Sequence, residues 1–315
     1  MTTFGGDYSP AAGCAAPIEL TVPAELAGLR LDQALARLLP AFSRNRLARW
    51  VRERRVRVDG QPAEPRQRVR GGESVRVEPA RELAAASLEP EPIALAIVHE
   101  DDALLVVDKP PGLVVHPGSG NWRGTLANAL LAHEPALRAV PRAGIVHRLD
   151  KDTSGLLVIA KTIEAHTALV RALAAREVRR EYLALAQGRL ARSGKVEAPV
   201  GRHPVQRTRM AVVAGGRPAV THYEVLERYA HATLLRCRLE TGRTHQIRVH
   251  LAALGHPLVG DATYGRRAGA IAFPRQALHA ARLALVHPTT GREMAWESPL
   301  PEDLANLIRS LRESA

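Results

Sequence analysis

The segment 144-GIVHRLDKDTSGLLVIAKT-162 encloses five charged or titratable residues, His147, Arg148, Asp150, Lys151 and Asp152, between the apolar runs GIV and GLLVIA. So dense a charged turn between strand-like runs suits a loop held at a cleft. There a carboxylate can act as a nucleophile or stabilise positive charge on a reacting group. Two other segments have the same character: RREY at 179–182, which supplies Tyr182, and ETGRTHQIRVH at 240–250, which supplies Arg243 and Arg248. Each side chain also has an ordinary reading. Asp150 can close an Asx-turn or pair with Arg148, Tyr182 can be a plain strand aromatic, and Arg248 can pair with Glu240 on the surface. The combination of a carboxylate, a tyrosine and several arginines, all beside apolar elements, favours a site. In an extended segment Asp150 and Asp152 would point the same way, so a paired-carboxylate glycoside or nucleoside hydrolase is an open alternative.

Other chemistries lack their residues. GSGNWRG at 118–124 has the wrong spacing for a dinucleotide turn, and neither a GK[ST] phosphate loop nor a GxSxG elbow occurs. The thirteen histidines form no HExxH-type pattern; His245 and His250, five apart, fall on different helix faces. Cys14 and Cys237 form no CxxC pair, so neither a disulfide framework nor a zinc site is expected. No metal and no cofactor are predicted. The opening MTTFGGDYSPAAGCAAP has no basic region followed by an apolar one, and no run approaches eighteen apolar residues. A cytoplasmic monomer without a membrane segment is the expectation.

Charge names the class of partner. Lys and Arg number 44 against 32 acidic residues, a formal net charge of +12, which favours a polyanion. The excess is steepest at 44–57, where Arg44, Arg46, Arg49, Arg52, Arg54, Arg55 and Arg57 are opposed by Glu53 alone. Guanidinium forks match phosphate geometry, so phosphate contact explains the run better than i,i+4 pairing does.

The elements that must position these groups follow from periodicity. Leu31, Ala34, Leu35, Leu38 and Leu39 mark one helix face ended by Pro40. Ser43 suits the N-cap of a second helix, with Leu47, Trp50 and Val51 turned inward. VRVDG and ESVRVEP read as short strands. Residues 1–17 read as a disordered tail, 18–79 as a small basic domain suited to phosphate contact, 80–92 as a linker rich in Ala, Glu and Pro, and 93–315 as the larger domain that carries the charged segments. In the last, IALAIVHE, LLVVDKP, the runs flanking HRLDKD, REYLALAQGRL, RMAVVAG, AVTHYEVLERY and ATLLRCRLE are strand candidates. TLANALLAH, a helix capped by Thr162, HQIRVHLAALG and a helix opened by Pro301 lie between or after them. LALVHP and EMAWESP form a hairpin. Strands that do not alternate regularly with helices predict an α+β fold with a mixed, largely antiparallel sheet.

GIVHRLDKDTSGLLVIAKT resembles the signature of the RluA family of large-subunit ribosomal RNA pseudouridine synthases. KPPGLVVHPG, RREYLALAQG and ETGRTHQIRVHLAALGHPLVGDATYG resemble the family's other segments, in the same order. The N-terminal unit is similar to the small RNA-binding fold shared with a ribosomal protein, and the resemblance spans roughly residues 28–312. Within the family the likeness is greatest to the D subgroup. It implies conversion of uridine to pseudouridine in 23S rRNA, or its large-subunit precursor, in the hairpin loop at the subunit interface, with base flipping and no cofactor. It also implies roles: Asp150 as the catalytic carboxylate, Arg248 as its partner, Tyr182 stacked on the base, and Arg148 inserted where the base leaves the stack. RNA phosphate contacts are expected from Lys109, Arg243 and the 44–57 cluster, including Arg44, Arg46, Arg49, Arg52 and Arg55. A non-catalytic RNA-binding ribosome-assembly factor would need only the basic N-terminal unit and would leave Asp150 without a role.

Overall fold

The computed structural model describes residues 17–39, 42, 44–79, 88–118, 123–206, 208–265 and 271–314, with 44–46 by their backbone alone. The tail before residue 17, the Ser43 cap and the side chains of Arg44 and Arg46 lie outside the described residues. The chain divides into two units, residues 1–87 and 88–315.

In the first unit, β1 (Ile18–Thr21) precedes α1 (Leu31–Leu38) and α2 (Arg44–Arg52). Strands β2 (Val56–Val58), β3 (Gln61–Pro62) and β4 (Ser74–Val77) follow. The strands form an antiparallel sheet in the order β1-β4-β2-β3. The apolar faces anticipated for the helices are the buried ones: Leu31, Ala34, Leu35, Leu47, Trp50 and Val51 close one core with Val56, Val75 and Val77. Leu38 and Leu39, expected on the same face, pack only at its margin. β1 escaped the sequence reading because IELT is a four-residue edge strand with little apolar signal.

The second unit begins with β5 (Ile97–Glu100), β6 (Leu104–Lys109), α3 (Leu126–His133), β7 (Ser154–Ala160) and α4 (Ile163–Ala175). Then come β8 (Arg179–Gln187), β9 (Gly194–Glu197), β10 (Val200–Arg202), β11 (Met210–Val212), β12 (Val220–Arg228) and β13 (Ala232–Leu239). It closes with α5 (Gln246–Ala253), β14 (Leu278–Val286), β15 (Glu293–Glu297) and α6 (Glu302–Glu313). The main sheet runs β5-β6-β7-β14-β8-β13-β12-β9, with β15 paired to β14. Every pairing is antiparallel except β7 with β14, so the sheet is mixed and largely antiparallel as expected. Alternate residues of the strands face opposite ways. Leu105, Val107, Leu157, Ile159, Tyr182 and Ala184 meet α3 and α5 on one side. Val106, Leu156 and Val158 meet α4, and Leu185 and Leu234 meet α6, on the other. Among the described residues no helix is long and apolar enough to cross a membrane.

Two expectations are corrected. GIV is not a strand: Ile145 makes one bridge to Ile159, after a 3-10 turn over Pro141–Gly144. Arg142, Ala143 and Gly144 all have positive φ (58°, 51° and 76°), a left-handed backbone that no strand accommodates. Residues 88–92, read as linker, are fastened to the second unit. Asn128 donates to the Glu89 carbonyl at 2.8 Å, and the Gly124 N–H donates to the Glu91 carboxylate.

Candidate active site

The HRLDKD loop lies between the Ile145 bridge and β7, a strand buried along its whole length. Its far end is set by Gly155. At φ +110° its backbone approaches β14 so closely that a Cβ would stand 2.3 Å from the Ala280 carbonyl oxygen. Three further ties fix the loop. Lys109, at the end of β6, donates to the carbonyls of Pro110, Leu113 and Lys151 at 2.7, 3.0 and 2.8 Å. Arg275 donates to the Asp152 carbonyl at 3.1 Å while forking onto Asp303. His147 accepts the Val158 N–H at 3.1 Å.

Thus held, Asp150 reaches a cavity of about 420 Å³, a size suited to a small group buried from a larger ligand. Arg148, Arg180, Tyr182, Arg243, His245 and Arg248 also line it. Arg248 comes from α5, which is buried all round over Gln246–Leu251. Its Nη1 donates to Asp150 Oδ2 at 2.9 Å. Its Nε and Nη2 fork onto Asp261 at 2.8 and 2.9 Å. Asp261, whose side chain is fully buried, also accepts the N–H groups of Thr263 and Tyr264 at 2.9 and 3.0 Å. Burial alone would raise its pKa, but Arg248 holds it below the usual carboxylate range. Arg248 is correspondingly pushed up: burial opposes its charge, and its two carboxylates outweigh that. One guanidinium thus lies between the cavity-facing carboxylate of Asp150 and the buried, anchoring one of Asp261.

The second oxygen of Asp150 faces His245. Nε2 of that ring is 3.8 Å from Oδ1, and the residue sits in a left-handed conformation at the start of α5. Met210 donates its N–H to the Tyr264 hydroxyl at 2.9 Å, and that hydroxyl lies 2.8 Å from His245 Nδ1. That hydroxyl, with one lone pair taken by Met210, can donate to Nδ1 or accept from it, and Nε2 carries the ring proton toward Asp150 in the tautomer where Nδ1 accepts. Burial pushes His245 below its ordinary value and so favours the neutral ring. Tyr182, buried on the inner face of β8, has its phenol pKa raised by burial and keeps its proton at neutral pH.

The structure brings Asp150, Arg148, Tyr182, Arg243 and Arg248 to one cavity, with Arg148 exposed at its edge. It does not bring Asp152, which the cavity lining omits, so the paired-carboxylate hydrolase reading loses its second acid. It also corrects Lys109. Only 1% exposed and committed to three carbonyls, that ammonium is a strut beneath the HRLDKD loop and not a phosphate contact. Arg248 does not pair with Glu240, whose carboxylate meets Arg176 and His222. In the first unit, Arg49, Arg52 and Arg55 are exposed; Arg49 and Arg55 flank Glu53 at 3.7 and 3.6 Å, and Arg52 donates to the Ala48 carbonyl. Sequence reasoning assigned no role to Asp261, Tyr264, His245 or Arg180, although GDATYG, THQIR and RREY were all singled out.

Comparison with known proteins identifies both units of the chain. Residues 103–253 match the family described as RNA pseudouridylate synthase, and residues 29–75 match the S4 domain. A protein of Nitrosomonas europaea called ribosomal large subunit pseudouridine synthase D is 59% identical, over 94% of this chain and 88% of its own. A Pseudomonas aeruginosa protein of the same name is 53% identical, over 93% of this chain and 95% of its own. Among solved structures, human RNA pseudouridylate synthase domain containing 1 superposes with a TM-score of 0.54 at 29% identity, over 70% of this chain and 97% of its own. With Asp150 held by Arg248 inside a cationic cavity, these similarities place the chain in the RNA pseudouridylate synthase family, as an RNA-modifying isomerase that carries an S4 domain ahead of its synthase domain.

Proposed function

We propose that this protein converts specific uridines of 23S rRNA to pseudouridine, in the hairpin loop of helix 69, with Asp150 as the catalytic carboxylate. Ribosomal RNA as substrate is supported by the names of the curated relatives, and the hairpin by the resemblance to the D subgroup. The observation that carries the assignment is the state of Asp150. Among the described residues it is the one carboxylate lining the cavity; Oδ2 is fixed by Arg248, and Oδ1 has only the His245 ring at 3.8 Å.

The reaction breaks the bond from uracil N1 to ribose C1′, joins C1′ to C5, moves the C5 proton away and returns a proton to N1. No electrons are gained or lost overall. Asp150 supplies the anion that attacks or stabilises the sugar or base. Arg248 and Asp261 keep that anion aimed, and positional precision of this kind is worth orders of magnitude in rate. Tyr182 offers a buried ring and hydroxyl to the extruded base. Arg148, exposed at the edge, fills the gap in the RNA stack, offsetting the few kcal/mol that flipping costs. The exposed arginines of α2 and the turn after it contact phosphates outside the cavity.

The test uses a helix 69 hairpin RNA. Wild-type protein forms pseudouridine in its loop. Asp150→Asn binds the same RNA within about threefold of wild type and forms none; wild-type turnover by that variant removes Asp150 from the chemistry.

A further inference from the structure

Arg180 is unlike the other cavity arginines. It follows Arg179 on β8, two residues before Tyr182, so both project from the inner face of the strand. It is 6% exposed and lines the cavity. Its Nε is fully buried with no hydrogen-bond partner, and among the described residues no carboxylate lies within ion-pair distance of its guanidinium. The bare backbone of Gly242 makes room for it: a Cβ there would stand 2.8 Å from Nη1. The one carboxylate lining the cavity among the described residues, Asp150, is already bound by Arg248. The neighbouring His147 adds no second cation, because burial and the Arg180 charge keep its ring neutral.

A buried guanidinium whose Nε is cut off from water with no acceptor or counter-ion is costly, and such groups are normally paired or meet a ligand. The RNA substrate brings one permanently anionic group to this depth, the phosphodiester beside the extruded nucleotide. A uracil carbonyl is neutral in the ground state and would leave the charge uncompensated. Phosphate oxygens also match the guanidinium fork. We propose that Arg180 is an internal phosphate-binding residue, which grips a non-bridging oxygen of the phosphodiester flanking the target uridine and so holds that nucleotide in its flipped position. The inference rests on the chain acting on RNA at the Asp150 cavity.

The experiment replaces single phosphates around the target uridine of the hairpin with neutral methylphosphonates. Dissociation constants are then measured for the full-length wild type, Arg180→Lys and Arg180→Gln. At one flanking linkage the neutral group weakens wild-type binding about tenfold or more. Arg180→Gln binds the unmodified RNA weaker by a similar factor and is indifferent to the replacement there. Arg180→Lys lies between. A wild type insensitive at every linkage near the target overturns the proposal, whatever the stability of the variants. So do losses that simply multiply in Arg180→Gln at every linkage. Arg180→Gln with unchanged affinity and a lower rate also overturns it and assigns the guanidinium to the base. Pseudouridine formed by wild type on unmodified RNA is the control; if none forms, the proposed function fails independently of Arg180.

Discussion

Asp261→Asn is the sharpest probe of how the Asp150 carboxylate is held. In the protein one buried guanidinium binds two carboxylates, by a single bond to Asp150 and a fork to Asp261. Removing one partner of a buried pair commonly costs about 3–5 kcal/mol, because the other charge is left uncompensated. Here Arg248 keeps the second carboxylate, and Asn still offers one acceptor oxygen, so a loss of about 2–3 kcal/mol is expected. For a domain of this size that is a fall in melting temperature of roughly 4–12 °C. The two carboxylates also repel each other through the shared cation. At an effective dielectric constant of about 20, that repulsion is on the order of 2–3 kcal/mol. Asp150→Asn relieves the repulsion as it breaks one bond, so its own cost to stability is small. The double variant leaves Arg248 buried with no anion, and its cost must exceed the sum of the singles by about the repulsion term, roughly 2 kcal/mol. Denaturant melts of the four proteins measure this cycle. Single-turnover pseudouridine formation by Asp261→Asn should fall about 100-fold, as a displaced catalytic group requires, with RNA affinity nearly unchanged. Additive stabilities, or an Asp261→Asn enzyme as fast and as stable as wild type, would refute the clamp.

Lys109→Met should unfold or strongly destabilise the synthase domain, by about 3 kcal/mol or more, since three carbonyls lose a charged donor; the salt dependence of RNA binding should stay as it was. A well-folded Lys109→Met with a shallower salt slope would restore the phosphate assignment. Burial lowers His147 to about 3. The unfolded state therefore takes up a proton between about pH 6.5 and 3 that the folded state refuses, and stability falls as pH drops through that window. In His147→Asn, stability against pH between 6 and 4 should flatten by about 1.4 kcal/mol per pH unit, which pH-dependent urea melts will detect. Replacing Arg49, Arg52 and Arg55 together by Gln should weaken RNA binding and lower the slope of log K against log salt by about 2, at about 0.7 for each lost phosphate contact to single-stranded RNA; an unchanged slope would show that this face does not meet RNA.

Much of this was legible in the sequence. Apolar spacing at 31–39 and 47–51 marked both helices of the first unit, and the alternation of strands without regular helices indicated the mixed sheet. Asp150, Tyr182 and Arg248 came from three short segments separated by dozens of residues, which β7, β8 and α5 bring to one cavity. What escaped depends on partners that only tertiary structure supplies. Asp261 looked like any turn aspartate until α5 placed Arg248 against it. Lys109 sits at the end of an apolar run, where a lysine ordinarily reaches solvent; the β6–β7 pairing instead folds it under Lys151. GIV was misread because its apolar pattern is that of a strand, while the left-handed turn that runs through its Gly144 leaves room for a single bridge.

The central claim is that Asp150, and not its neighbour Asp152, carries out uridine isomerisation in ribosomal RNA. The direct measurement is chemical mapping of pseudouridine in 23S rRNA from cells lacking this protein, complemented with wild type, Asp150→Asn or Asp152→Asn. Wild type and Asp152→Asn should restore pseudouridine in the helix 69 loop, and Asp150→Asn should restore none. Pseudouridine restored there by Asp150→Asn would contradict the account.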